Sequence, residues 1–184
     1  MGMPQAAEVW TAERIRALPD DHLRHEVVDG EHLVTPAPRL VHERAVGLLR
    51  DALHPYVKAN GLGECFCSPA DVELDPRTLV QPDVFVTATR RARVWSEVLP
   101  LRLAIEVLSP GTARADRLVK RPMFQKAWIE FWIVDLYARL VERWRPGDAR
   151  PEVLTERVEW RPEAAPEPLL LELPAFFREA HGED

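Results

Sequence analysis

With 184 residues, 46% of them hydrophobic and 29% charged, the chain has the size and composition of one folded domain over residues 1–184, which excludes wholesale disorder. No apolar run approaches the roughly 18 residues of a membrane span, the start Met1-Gly-Met-Pro-Gln has neither the basic residues nor the apolar core of a secretory signal, and two cysteines, Cys65 and Cys67, cannot build a disulfide framework, so a cytoplasmic protein is expected. The net charge of −6 argues against indiscriminate coating of nucleic acid but leaves room for a local basic groove.

In chain order, Thr11 caps a short predicted helix through about Leu18, which Pro19-Asp20-Asp21 stops. His25 to Val34 reads as a hairpin turning at Asp29-Gly30, a pair that tolerates positive φ, and Pro36 and Pro38 end its second strand. Val41, Ala45, Leu48, Leu49, Ala52 and Leu53 recur at spacings of three and four, predicting a helix over 40–59 that stops at Asn60-Gly61. Short strands follow near 64–67 and 70–74, then a turn at Asp75-Pro76-Arg77 and a strand over 83–87. Leu101 to Leu108 is nearly continuous in apolar residues, the pattern of a central strand buried on both faces. A helix over 112–128 should be kinked or split at Pro122. Phe131–Val134 and Leu140–Trp144 read as a second hairpin, 147–168 as a loop with one short strand, Leu169–Leu173 as a last strand, and Pro174 as the opening of a terminal helix. The order specifies an α/β (α+β) domain, a mixed β-sheet flanked by helices with an N-terminal hairpin.

The phosphate loop, the nucleophile elbow and the H-E-x-x-H zinc helix are absent from the sequence. Gly61-Leu-Gly63 lacks the third glycine of a dinucleotide fold. Cys65-x-Cys67 lacks a second pair for zinc and reads as two small core residues. The informative feature is acid inside apolar strands. Glu106 interrupts Leu103-Ala-Ile-Glu-Val-Leu108, and Asp83 follows Pro82 at the start of Asp-Val-Phe-Val86. A buried carboxylate is costly unless paired or bound to a metal. Two such acids about 5 Å apart repel by roughly 3 kcal/mol at an effective dielectric of 20. A divalent ion bound through oxygens offsets that repulsion; the plainer alternative is that each acid pairs with an arginine.

Six segments in order resemble the Uma-two family, described as "putative restriction endonuclease", whose fold is that of the PD-(D/E)XK nucleases. They are His25-Glu-Val-Val-Asp-Gly-Glu31; Pro36-x-Pro38 with His42; Gln81-Pro-Asp-Val84; Ile105-Glu-Val-Leu-Ser-Pro-Gly-Thr112; Asp116-x-x-x-Lys120; and Phe131-Trp-Ile-Val-Asp135. The resemblance spans roughly residues 10–178. It implies that Asp83 is the "PD" aspartate and Glu106 the second acid, the two holding Mg²⁺ or Mn²⁺. The usual lysine would fall at Leu108, so the resemblance implies that Lys120, one of only three lysines, supplies the ammonium from the following helix. Glu26 is an added ligand or water-positioning base, and Asp71 is a weaker candidate. His42 matches the family pattern without a defined role, a cap or packing residue being the simpler reading.

Three departures bear on that assignment. Pro122 should disturb the helix that aims Lys120, Asp116 could pair with Lys120 and hold it away, and His25 stands where the family tends to have Tyr. Arg90, Arg91, Arg117 and Arg121 are candidate phosphate contacts, although solvated charged faces explain them equally. The implied activity is a metal-dependent endonuclease acting on DNA phosphodiester bonds as a homodimer without membrane contact. Two alternatives stand beside it. One is a catalytically silent nuclease-fold protein that binds nucleic acid or a protein partner. The other is an oligomerisation domain, favoured if Trp95, Trp144 and Trp160 form one exposed patch.

Overall fold

The computed structural model describes residues 9–35, 37–109 and 111–183. The chain start read for a signal, Pro36 as a strand terminator, and Pro110 of the Glu106 motif lie outside the described residues.

In chain order, α1 (Ala12–Arg16) precedes the hairpin β1 (Arg24–Val28) and β2 (Glu31–Thr35), and α2 (Leu40–Ala59) follows. Next come β3 (Glu64–Cys67), β4 (Val72–Asp75), β5 (Thr78–Val80), β6 (Val84–Thr87) and β7 (Leu101–Val107). A helical crossover consists of α3 (Ala113–Ala115), one π-helical turn (Asp116–Lys120) and α4 (Arg121–Lys126). The chain ends with β8 (Glu130–Asp135), β9 (Leu140–Trp144), β10 (Glu152–Leu154), β11 (Arg157–Trp160), β12 (Leu169–Glu172) and α5 (Leu173–His181).

The centre is a six-stranded sheet ordered β10-β9-β8-β7-β6-β3. Its pairings are antiparallel except β7 with β8, which run parallel. A parallel pair cannot be closed by a tight turn, and the crossover at 113–126 supplies the link. Side-chain alternation assigns each face a different partner. Val84, Val86, Leu103, Ile105 and Val107 pack with Ala45, Leu49 and Leu53 of α2 and Phe176 and Phe177 of α5. On the opposite face, Phe85, Ala104, Phe131 and Ile133 pack with Met123 and Phe124 of α4 and with Val28, Val72 and Val80. Those last three belong to a four-stranded sheet ordered β2-β1-β5-β4. Glu106 shares the parity of Ala104, and Glu26 and Arg24 that of Val28, so all three side chains enter the layer between the two sheets.

The expected mixed α+β architecture forms, with three corrections. β5 was not anticipated; the turn at Asp75-Pro76-Arg77 is a tight hairpin that brings Thr78–Val80 back against both β4 and β1. The 147–168 stretch holds two short strands, since Glu152–Leu154 extends the main sheet and Arg157–Trp160 pairs with β12. Pro122 falls where the 113–126 crossover divides, as expected. It stands in the first turn of α4, directly after the π turn, where the Arg117 carbonyl accepts from the Arg121 side chain. Trp144 and Trp160 are buried, facing inward from β9 and β11, so no exposed patch unites them with Trp95. No helix among the described residues is long and apolar enough to cross a membrane.

Candidate active site

The β6–β7 register pairs Val84 with Ile105, and one step further it sets Asp83 opposite Glu106. The two acids therefore sit on neighbouring strands, on one face, at the edge of the buried layer. Both are almost entirely buried. Their surroundings differ, and push their pKa values in opposite directions.

Asp83 is enclosed by donors. Both terminal nitrogens of Arg24 donate to its Oδ1 at 2.9 Å, His42 Nε2 lies 3.1 Å from its Oδ2, and the Val107 N–H donates to Oδ2 at 2.8 Å. Burial alone would raise its pKa. The His42 hydrogen bond and the Arg24 charge outweigh burial and bring the carboxyl down to about 2. Reciprocally, burial works against a charge on His42, yet its contact with Asp83 raises the imidazole above its ordinary value. His42 gets there because it lies on the same face of α2 as Ala45, Leu49 and Leu53, the face that the helical period turns inward. Its role is thus to hold the acid, not to cap a helix.

Glu106 belongs to a second group. Lys120 Nζ donates to Glu106 Oε1 at 2.9 Å and lies 2.7 Å from Glu26 Oε2 and 3.5 Å from Asp116 Oδ1. One ammonium serves three buried carboxyls, and it cannot neutralise them all. Burial pushes Glu106 well above the usual carboxylate range, with the neighbouring acids adding to the push against the Lys120 charge. Burial likewise raises Asp116. Neither Asp116 oxygen receives a hydrogen bond; the Thr112 hydroxyl is near enough to soften the shift without completing one. Burial tends to strip Lys120 of its proton, but the charges of Glu106, Glu26 and Asp116 overrule it and keep the ammonium charged. Asp116 therefore does pair with Lys120 at i,i+4, but it joins the cluster instead of holding the lysine away from it.

Glu26 is fixed from its other side by the Gln81 N–H, which donates to Oε1 at 2.7 Å. Gln81 also donates through Nε2 to Asp71 at 2.9 Å, and its carbonyl accepts from Arg24 at 3.2 Å. Asp71 thus positions Gln81 and stands outside the Lys120 cluster. Arg24, Ser68 and Gln81 line an open groove of about 480 Å³ beside Asp83. His25, at the place of the family's Tyr, turns to the opposite face of β1, where its Nδ1 lies 2.9 Å from His32 Nε2 and its Nε2 reaches Asp21.

The four residues Asp83, Glu106, Lys120 and Glu26 thus come together, joined by three that sequence reasoning did not place in the site: Arg24, His42 and Asp116. The candidate phosphate contacts do not join them. Arg117 donates to Glu142 at 2.7 Å and Asp135 at 3.1 Å, and Arg121 bonds Gln125 and lies 4.6 Å from the Trp144 ring centroid. Arg90 and Arg91 follow β6, whereas Asp83 precedes it, so they lie at the far end of the strand.

A sequence profile described as "Uma2: Putative restriction endonuclease" matches residues 12–176, nearly the whole chain and all of the acid and lysine segments. The chain belongs to the Uma2 family. A crystal structure of a putative nuclease belonging to DUF820 from Anabaena variabilis ATCC 29413 is similar in fold, with a TM-score of 0.75 and 19% sequence identity over 93% of this chain and 99% of that one. No curated protein matches the sequence. Within the Uma2 frame, the lysine reaches the second acid from the crossover helix, and the π turn is what delivers it.

The acids offer the carboxylate oxygens that a hard divalent cation takes, and both Asp116 oxygens are buried without a hydrogen-bond donor, whereas Asp83 is filled by Arg24, His42 and the Val107 N–H, so an ion there must displace one of those donors. Among the described residues, no three His, Cys, Asp or Glu side chains are already disposed around one ion position. A cation that takes one or two carboxylates and completes its shell with water and substrate phosphate fits this arrangement better than one caged by protein alone.

Proposed function

We propose that this Uma2-family chain is a nuclease that hydrolyses DNA phosphodiester bonds with a divalent ion, Mg²⁺ or Mn²⁺, held by Asp83 and Glu106. The observation that supports it best is the cross-strand placement of Asp83 against Glu106 with the Lys120 ammonium 2.9 Å from the second acid. Such a bound ion supplies Lewis-acid polarisation of the phosphate and a more acidic bound water. The protein's own residues do the rest. Arg24, on the groove beside Asp83, spends both terminal nitrogens on Asp83 Oδ1; with an ion held by that carboxylate, the released guanidinium would offer its planar donor fork to a phosphate oxygen. Lys120, held charged, orients the attacking water and offsets charge gathering on the phosphate. Glu26, anchored by the Gln81 N–H, accepts a proton from that water through Oε2. Asp116 steadies Lys120 from the preceding helical turn.

The test is calorimetric titration of Mn²⁺ and Mg²⁺ into the wild type and into the Asp83→Ala, Glu106→Ala double variant, followed by nicking of supercoiled plasmid. Metal binding and nicking that vanish together in the variant support the reading. Absence of metal binding in the wild type would leave both acids structural and favour the catalytically silent fold, in which Arg24 and Lys120 are the permanent partners of Asp83 and Glu106.

A further inference from the structure

The end of the main sheet away from the acids carries a second group of cations. His54 and Lys58 stand one turn apart on α2, and the loop after β6 brings Arg90 and Arg91 to the same open groove, about 400 Å³ in volume. The close approach depends on Gly63, whose φ is +131° and where a Cβ would fall 1.8 Å from the Thr87 carbonyl oxygen. Only glycine lets the chain leaving α2 run this near the end of β6. Arg90 donates to the Gly61 carbonyl, which sets its guanidinium at the rim. Arg91 holds a left-handed backbone, φ +64°, an unfavourable conformation for a side-chain-bearing residue.

These cations are not used up by the fold. Lys58, Arg91 and Arg93 make no ion pair with any described residue. The groove's one carboxylate, Glu64, accepts from the Ala92 N–H at 3.2 Å. In a chain of net charge −6, three permanent cations around one acid are a local inversion of sign. The groove then continues into an aromatic shelf. Phe66 lines both it and a neighbouring hollow formed with Arg93, Val94 and Trp95. Trp95 remains 44% exposed and meets Phe66 edge-on at 5.5 Å between centroids.

Cations that track phosphates, followed by an open indole face, match an unpaired nucleic-acid strand better than a duplex, whose bases have no free face to stack. We propose that this end of the sheet binds single-stranded nucleic acid, with phosphates on Lys58, Arg90 and Arg91 and a base stacked on Trp95. The nuclease reading supports the choice of nucleic acid as partner; the acid cluster itself takes no part.

The experiment is fluorescence anisotropy of a labelled oligo-dT of about twelve nucleotides with the full chain in EDTA. The wild type should bind with log K falling against log salt at a slope near −2, as about three phosphate contacts on a single strand require. The Lys58→Ala, Arg91→Ala double variant should lose tenfold or more and flatten that slope. Trp95→Ala should bind about tenfold more weakly with the slope unchanged, and Trp95→Phe should restore most of the loss. Glu106→Gln should bind like the wild type. No oligo-dT binding, unchanged binding in the double variant or in Trp95→Ala, or equal competition by a duplex of the same length would overturn the proposal. Plasmid nicking by a chain that ignores oligo-dT strikes only this inference, whereas oligo-dT binding without nicking strikes only the nuclease reading.

Discussion

The Val107 N–H donates to Asp83 Oδ2 at 2.8 Å, so the first acid is bonded to the strand that carries the second. That bond, with Arg24 and His42 on the remaining lone pairs, makes Asp83 a structural keystone as well as a candidate ligand. Asp83→Ala should cost about 3 kcal/mol, because it leaves a guanidinium and a backbone N–H buried without an acceptor. Asp83→Asn should cost less, since its amide oxygen can still accept. Urea unfolding of both variants checks the order. The pH dependence has a definite sign. The folded pKa, about 2, is below the ordinary aspartate value of 3.8, so the stabilisation is present above about pH 4 and fades as pH falls toward the folded value.

Glu106 is expected to behave in the opposite way. Its folded pKa is raised, so its contribution is most favourable below the ordinary carboxylate range and is lost as pH rises through the folded value. Glu106→Gln keeps an oxygen for Lys120 and removes the ionisation. It should therefore be more stable than the wild type at neutral pH, with the advantage gone in acid and nicking abolished. Thermal melting across pH settles it: a variant less stable than wild type at neutral pH refutes the crowded-carboxyl account.

Lys120→Met leaves three buried carboxyls around an apolar side chain. A loss of about 3–5 kcal/mol is expected near neutral pH, the cost of uncompensated buried charge. Acidification should restore much of it, because protonation then removes the repulsion. Denaturant midpoints that fall with rising pH in Lys120→Met, and do so more steeply than in wild type, are the signature.

Arg117 should prove structural. Its ion pairs with Glu142 and Asp135 are about one third exposed, so Arg117→Ala should cost no more than about 1 kcal/mol. Its affinity for plasmid DNA should equal that of the wild type, in contrast to Arg24→Ala, which removes the donor fork beside Asp83. Gel-shift titrations of the two variants separate these cases.

The parts of this site that were legible in the sequence are those where residue type conflicts with its neighbourhood. An acid inside Leu103-Ala-Ile-Glu-Val-Leu108 announces burial, and a scarce lysine draws notice where 21 of the 24 permanent cations are arginines. His42 was legible as buried from its place in the apolar period of α2, but nothing local names its partner, which is 41 residues away. Arg24 was hidden among the arginines; only strand parity with Glu26 could have pointed it inward, and the partner strand is needed to make that count. The pairing of Asp83 with Glu106 depends on register between strands, a tertiary quantity. The tryptophans misled because β9 and β11 are each too short for their alternation to reveal which face is covered. Pro122 marked a change of path correctly, while the form of that change came from the backbone.

The π turn has a consequence for how this chain tolerates length changes. A helix advances about 100° per residue, and the five residues Asp116–Lys120 contain one more than an α turn needs. Loss of any single residue between Asp116 and Lys120 would restore an ordinary turn with no gap in the chain and no change of composition at the acids. It would turn the ammonium by only about 30° relative to Asp116, because four π-helical steps and three α-helical steps sweep nearly the same angle. The turn therefore works as a slack loop in the helix, one that can take up or give back a codon while the lysine and the acids keep nearly the same bearings.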